Sequence, residues 1–110
     1  MDAQFKKGVL ELVVLAALAG GDRYGYELTE YISGELEITA GTLYLILKRL
    51  KDAGYLTTYL KESSGGPARK YYHLTEEGSR YREEKTAEWR SFVDKAERLL
   101  EAGEKKEEKS

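Results

Sequence analysis

The stretch Thr39–Gly54, TAGTLYLILKRLKDAG, does most to limit what this chain can become. Leu43, Ile46, Leu47 and Leu50 recur at helical spacing and make one apolar face. Thr39 is the expected N-cap and Gly54 the stop, without a capping box, because Thr42 stands where Glu or Gln would complete one. Gly41, Lys48 and Asp52 fall opposite the leucines, with Tyr44 and Lys51 on one flank and Arg49 on the other. Leu45 is the apolar exception on the polar side. A leucine-anchored helix that offers Gly, Thr, Tyr and Lys outward has the form of a DNA recognition helix. It also has the form of any surface helix, so the neighbouring segments must decide.

Before it, Val9–Ala19 is apolar almost all round. Val9, Leu12, Val13 and Ala16 form one face, and Leu10, Val14, Ala17 and Leu18 widen it. Such a helix needs cover on two sides, one from the domain core and one from a second chain or another long helix. Gly20-Gly21 ends it. Asp22 is the expected N-cap of a helix over Tyr24–Ser33, with Gly25, Leu28 and Ile32 inward. Leu36–Ile38 alternates like one very short strand. After Gly54, Tyr55–Lys61 reads as a strand, Glu62–Ala68 as a flexible tip too long for a two-residue turn, and Arg69–Leu74 as the returning strand. Tyr72 and Leu74 are expected to point inward. Thr75 then caps a helix predicted to run to about Ala102, with Tyr81 and Ala87 the burial candidates in its polar first half. Its second half carries Trp89, Phe92, Ala96 and Leu99 at 3-4-3 spacing, flanked by Val93 and Leu100, a seam for a partner helix. The tail, 103–110, is expected to fray.

Several function classes lose support from composition. The closest approach to a membrane span, Val9–Leu18, is far short of the roughly 18 residues needed, is interrupted by Glu11 and lacks the context of a signal peptide. With no Cys in 110 residues, disulfides and thiolate metal sites are excluded. Residues 1–74 carry nine Lys/Arg and nine Asp/Glu, and residues 75–110 carry nine and eleven. Any nucleic-acid site is therefore a local patch rather than a global basic field. Catalysis has little to work with. His73 is the lone His, Ser63, Ser64 and Ser79 lack a base, and the Glu pairs at 76–77 and 83–84 diverge on helices. Nine Tyr could stack single-stranded bases. Yet Tyr55, Tyr59, Tyr71 and Tyr72 lie in strands, where cross-strand packing is the simpler reason.

The order is helix, helix, short strand, helix, strand, Gly-rich loop, strand, long helix, and its first three helices with the two strands after them are those of a winged helix-turn-helix. The fold expected is mainly α, of the α+β kind: a three-helix core, a two-stranded wing hairpin and a long C-terminal dimerisation helix. Residues 1–74 would form the DNA-binding unit and 75–102 the dimerisation helix. A small α+β domain whose helices merely pack is the plain alternative.

Five short motifs in order sharpen this reading: Tyr24-Gly-Tyr-Glu27; Gly41-Thr-Leu-Tyr44 with Leu47-Lys-Arg-Leu50; Gly54-Tyr-Leu56; Gly65-Gly-Pro67 with Arg69-Lys-Tyr-Tyr72; and Leu74-Thr-Glu-Glu-Gly78. In these the chain resembles the PadR family of transcriptional regulators, in its short class with one C-terminal helix. Trp89 also matches a Trp of multidrug-responsive members. The resemblance implies a cytoplasmic homodimer that binds a double-stranded operator, usually as a repressor, and in some members releases it on binding a small flat aromatic compound. It implies no cofactor and no membrane partner. DNA contacts are expected from Tyr24, from Thr39, Gly41, Thr42 and Tyr44 near a helix N-terminus, from Lys48 and Lys51 further along, and from Gly65, Gly66, Arg69 and Lys70 in the wing. An effector would meet Trp89, Phe92 and Val13. The dimer seam would be built from Val9, Leu10, Val14, Trp89, Phe92, Val93, Ala96, Leu99 and Leu100. Ala40 and Leu45 stand where the family often has Pro, which places any peculiarity of operator preference at Leu45. A dimeric small-molecule-binding or interaction protein without specific DNA binding is the competing reading.

Overall fold

A computed structural model describes residues 3–109. The elements are α1 (Ala3–Ala19), β1 (Arg23–Tyr24), α2 (Gly25–Ser33), α3 (Ala40–Asp52), β2 (Leu56–Ser63), β3 (Gly66–Leu74) and α4 (Glu76–Lys109). The three strands form one antiparallel sheet in the order β1-β3-β2. The core is the junction of α1, α2 and α3 with the base of that sheet. Leu10, Val14, Leu15 and Leu18 enter it from α1, Leu28 and Ile32 from α2, Leu43, Ile46, Leu47 and Leu50 from α3, and Leu56 and Tyr72 from the sheet. The winged helix-turn-helix expected from the sequence is therefore the fold observed.

The cap of α3 forms as the sequence requires: the Thr42 N–H donates to Thr39 Oγ1 at 3.2 Å. Gly54, at φ +86°, makes the left-handed exit that L-residues adopt only with strain. Thr75 ties this exit to the next helix. Its hydroxyl donates to the Gly54 carbonyl at 2.8 Å and accepts the Gly78 N–H at 3.0 Å. Gly78 itself is buried against Tyr55, and a Cβ there would collide with the Tyr55 carbonyl oxygen. Any side chain at this position would push α4 off the sheet.

Five local expectations need correction. Leu36–Ile38 forms no strand; the third strand is Arg23–Tyr24, paired with Tyr72 and Tyr71 and too short to leave a periodic signal. Asp22 does not cap α2, because β1 intervenes and Tyr24 takes the cap position. The wing has a two-residue turn, Ser64-Gly65, with Ser63 paired to Gly66 and Gly65 at φ +73°. Pro67 is tolerated in β3 because β1 covers that strand only at Tyr71 and Tyr72, leaving a free edge nearer the tip. Ala87 is exposed. Finally, α4 continues without a break through Gly103 to Lys109 instead of stopping near Ala102. Its 34 residues draw the protein out to 67 × 26 × 21 Å.

Candidate nucleic-acid interface

α3 turns its leucines inward and leaves the whole opposite surface open. Thr39, Gly41, Thr42, Lys48 and Lys51 are all exposed, and a Cβ on Gly41 would meet nothing within 4 Å. The Thr39 hydroxyl donates to Thr42 Oγ1 at 3.0 Å, so two hydroxyls sit together at the positive end of the helix. Tyr44 is half exposed, and its ring lies where a Cβ on Gly25 would be. The glycine at the start of α2 thus makes room for Tyr44. Lys48 is held by Asp52 one turn on, at 2.9 Å, an exposed pair of little strength. Leu45 is 72 % exposed, as unusual in the structure as in the sequence.

Behind this surface, Arg49 pairs with Glu11 of α1, and that bond is the main reason its guanidinium is held above its ordinary pKa, with Tyr81 of α4 adding to the effect. Tyr81 stacks on Tyr55 with ring centroids 4.1 Å apart. One cluster of side chains therefore joins α1, α3 and α4.

The outer face of the sheet is an aromatic row. Tyr59 of β2 stacks on Tyr71 of β3 at 5.6 Å, and Tyr24 of β1 meets Tyr71 edge-on at 5.4 Å. The Arg69 guanidinium lies over the Tyr24 ring at 4.6 Å, and Lys61 over Tyr71 at 5.4 Å. Tyr59 and Tyr71 thus show the cross-strand packing expected of the strand tyrosines, whereas Tyr55 lies before β2 and packs on α4, and Tyr72 enters the core. The row brings Tyr24 and Arg69, expected separately as DNA contacts, into one unit with an exposed guanidinium. Asp22 closes the row, accepting from the Tyr59 hydroxyl at 2.7 Å and lying 2.8 Å from His73 Nδ1. The His73 bond, then the Tyr59 bond, hold its carboxyl below the usual range. Nearer the tip, Gly65, Gly66, Lys70 and Leu60 are exposed, Leu60 by 72 %. Leu60 and Lys70 are register partners in β2 and β3. Leu60 shares the strand face of Leu56 and Thr58 yet stays exposed, because the wing projects beyond the core that this face covers nearer its base.

The seam residues separate into two groups. Leu10 and Val14 are sealed in the protomer core and cannot form an interface with another chain. The core-facing stripe of α1 is Leu10, Val14, Leu15, Ala17 and Leu18, while Val9, Leu12 and Val13 are only partly buried. Periodicity identified both stripes but not which one faced inward. On α4, Trp89 and Ala96 are partly buried, whereas Phe92, Val93, Leu99 and Leu100 are exposed. A cavity of about 380 Å³ lies beside Trp89, walled by Gly8, Val9, Leu12 and Leu15 of α1 and Tyr81 and Lys85 of α4. Val13 and Phe92 do not line it within the protomer. Among the described residues, no group of three His, Asp or Glu is placed to hold a metal ion, and no helix is long and apolar enough to cross a membrane.

A recognition helix with an open polar face, a cationic wing beside it and a long C-terminal helix define a winged helix-turn-helix protein. Comparison with known sequences and structures narrows the class. The sequence model of the PadR-like family of transcriptional regulators matches residues 14–84, and the chain belongs to that family. It is 34 % identical over 87 residues to an uncharacterized protein of Lysinibacillus sphaericus, covering 76 % of this chain and 80 % of that one. The crystal structure of a PadR-like transcriptional regulator from Bacillus cereus superposes with a TM-score of 0.79 at 35 % identity, covering 89 % of this chain and 97 % of that one. The structure of Bacillus subtilis PadR in complex with operator DNA is more distant, with a TM-score of 0.63 at 26 % identity over 69 % of this chain and 45 % of that one. The family is one of transcription regulators, not of enzymes.

Proposed function

We propose that this protein is a homodimeric, ligand-responsive repressor that binds a palindromic operator in the cytoplasm. The observation that carries the reading is the pairing of two unlike surfaces on one chain: the open polar face of α3 and the exposed apolar stripe of α4. The first supports DNA binding. Thr39, Thr42 and the helix N-terminus suit phosphate or base-edge contacts, and Gly41 leaves room for close approach. Tyr44, Lys48 and Lys51 extend the contact, and Leu45 offers an apolar surface to a thymine methyl group. The wing, through Gly65, Gly66, Arg69 and Lys70, would lie on the adjacent backbone, with Tyr24 supporting Arg69. Kinship with a regulator whose structure contains operator DNA supports the same reading.

The second surface supports self-association. Phe92, Val93, Leu99 and Leu100 have the spacing of a helix–helix seam, which a second copy would cover. Such a dimer would present its two recognition helices to half-sites about 34 Å apart, one turn of straight B-DNA. Trp89 stands where the seam meets α1. The cavity beside it is within the usual range of roughly 300–1,000 Å³ for small-molecule sites. Closing the seam would bring the α4 stripe of the second copy, Phe92 included, toward this cavity, and Val13, on α1 beside Val9 and Leu12 of its wall, would then border it. A flat aromatic ligand there would alter how α4 sits on α1, and the Glu11–Arg49–Tyr81 cluster leads from that contact to α3. The ligand would displace operator only by as much as it prefers the arrangement that fits DNA less well.

The test is fluorescence anisotropy at low salt with duplexes tiling the region upstream of the gene itself, against a random-sequence duplex. The expected result is one fragment bound far more tightly than random sequence. Equal affinity for all fragments would leave only the reading of a binding or interaction protein without specific DNA recognition.

A further inference from the structure

The two flanks of α3 are not alike. On one, Tyr44 leans over Gly25 and closes the space to α2. On the other, between α3 and the first turns of α1, runs an open groove of about 780 Å³. Leu10 and Ile46 form its floor, and Thr39, Thr42 and Leu45 line its α3 side. Lys6 and Lys7, both exposed, line its α1 side. Arg49 borders it too, but its charge is engaged by Glu11; Glu37 is the acidic member of the lining.

Geometry says what passes here if α3 enters a major groove. A helix with its side chains is about 10–12 Å across, and the major groove of B-DNA is about 12 Å wide. A helix seated in it therefore has a sugar–phosphate strand along each flank. One strand runs on the Tyr44 side. The other runs along Thr39 and Thr42, into the space that the lysines of α1 overlook. From Thr39 to Arg49 α3 rises about 15 Å, several phosphates' worth of strand.

We propose that this groove seats one strand of the DNA backbone, with Lys6 and Lys7 as phosphate contacts. The inference rests on the DNA-binding reading and extends the binding surface to α1, outside the helix-turn-helix and the wing. The occupant follows from charge complementarity: the rim offers two exposed cations and two hydroxyls beside a single acidic side chain, Glu37, and the groove is open to solvent. It also supplies the locally basic patch that a DNA-binding unit with balanced charge in residues 1–74 must have.

The experiment measures affinity against salt for the full chain on a labelled random-sequence duplex and on the tightest upstream duplex. Lys6→Gln/Lys7→Gln is compared with Lys105→Gln/Lys106→Gln, the same charge change at the far end of α4. The α1 variant is expected to lose affinity for both duplexes by the same factor, and its log–log salt slope to fall in magnitude by about 3.6 for the dimer, at about 0.9 per lost phosphate contact and two contacts per chain. Lys6→Arg/Lys7→Arg should restore the slope, and the α4 variant should keep that of wild type. An unchanged slope in the α1 variant, with wild type binding normally and all proteins melting alike, would overturn the groove assignment alone. An equal fall in the α4 variant would also overturn it, as an effect of net charge. Failure of wild type to bind either duplex would instead remove the DNA-binding reading.

Discussion

α3 and the distal half of α4 are both amphipathic helices, and they meet opposite fates. In α3 the leucine stripe is wholly enclosed by α1, α2 and the sheet, and Leu43, Leu47 and Leu50 have no accessible surface. In α4 the stripe beyond Trp89 leaves the body of the protomer, with Phe92 exposed by 61 % and Leu99 by 76 %. The same kind of pattern thus serves a core in one helix and a surface awaiting cover in the other. Local periodicity cannot tell them apart, because what differs is the element opposite.

That contrast can be broken at either end. The largest effect is expected in α3: Leu47→Ala should cost about 2–5 kcal/mol of unfolding free energy, the range for a fully buried leucine, at every protein concentration. Denaturant melts check this, and a loss below 1 kcal/mol would mean the core is looser than described. In α4, Leu99→Ser should leave the protomer's fold intact and weaken self-association. Burying a leucine is worth about 1.5–3 kcal/mol, so the dimer dissociation constant should rise roughly tenfold or more. Sedimentation over a dilution series reads it directly, and an unchanged constant would show that the stripe is not the seam.

A smaller effect separates recognition from stability. Gly25→Ala places a Cβ in the Tyr44 ring, which is half exposed and free to swing outward. DNA affinity should fall by about 1 kcal/mol, the net value of one hydrogen bond. The melting temperature should hold or rise, because Ala is favoured over Gly in a helix by about 1 kcal/mol. A fall in both would place Tyr44 in the core instead. The smallest effect belongs to Asp22. Its carboxyl is held below the ordinary value of 3.8, first by His73 and then by Tyr59, so its contribution to stability is complete above that value and disappears as pH falls through the lowered one. Wild type should therefore lose stability more steeply than Asp22→Asn below about pH 4, by under about 1 kcal/mol for so accessible a group. Parallel pH profiles would show that the wing is not tied to Asp22.

The sequence carried the long-period information well. The leucines of α3, the Thr39 and Thr75 caps, the Gly54 exit and the apolar half of α4 each rest on spacing or on a residue with one conformational use. What it hid was set by partners distant in the chain. The two residues of β1 are a strand only because Tyr71 and Tyr72 lie beside them. Asp22 left its capping role for partners 37 and 51 residues away. The turn at Ser64-Gly65 was masked by a Gly-, Ser- and Pro-rich composition that reads as slack loop, though residues 63 and 66 complete the ladder. Leu10 and Val14 were assigned to the seam because a helix apolar all round does not announce its inner face. Lys6 and Lys7 carried no signal at all until α1 was placed against α3.

The sharpest measurement is the number of chains bound per operator duplex, read as the mass of the complex by sedimentation of labelled DNA titrated with protein. If the α4 stripe pairs two copies so that each supplies one recognition helix, the saturated complex contains two chains and none with one chain accumulates on the way. One chain bound per duplex with full affinity would contradict the central claim, leaving α3 as a lone reading head and the stripe of α4 without its role.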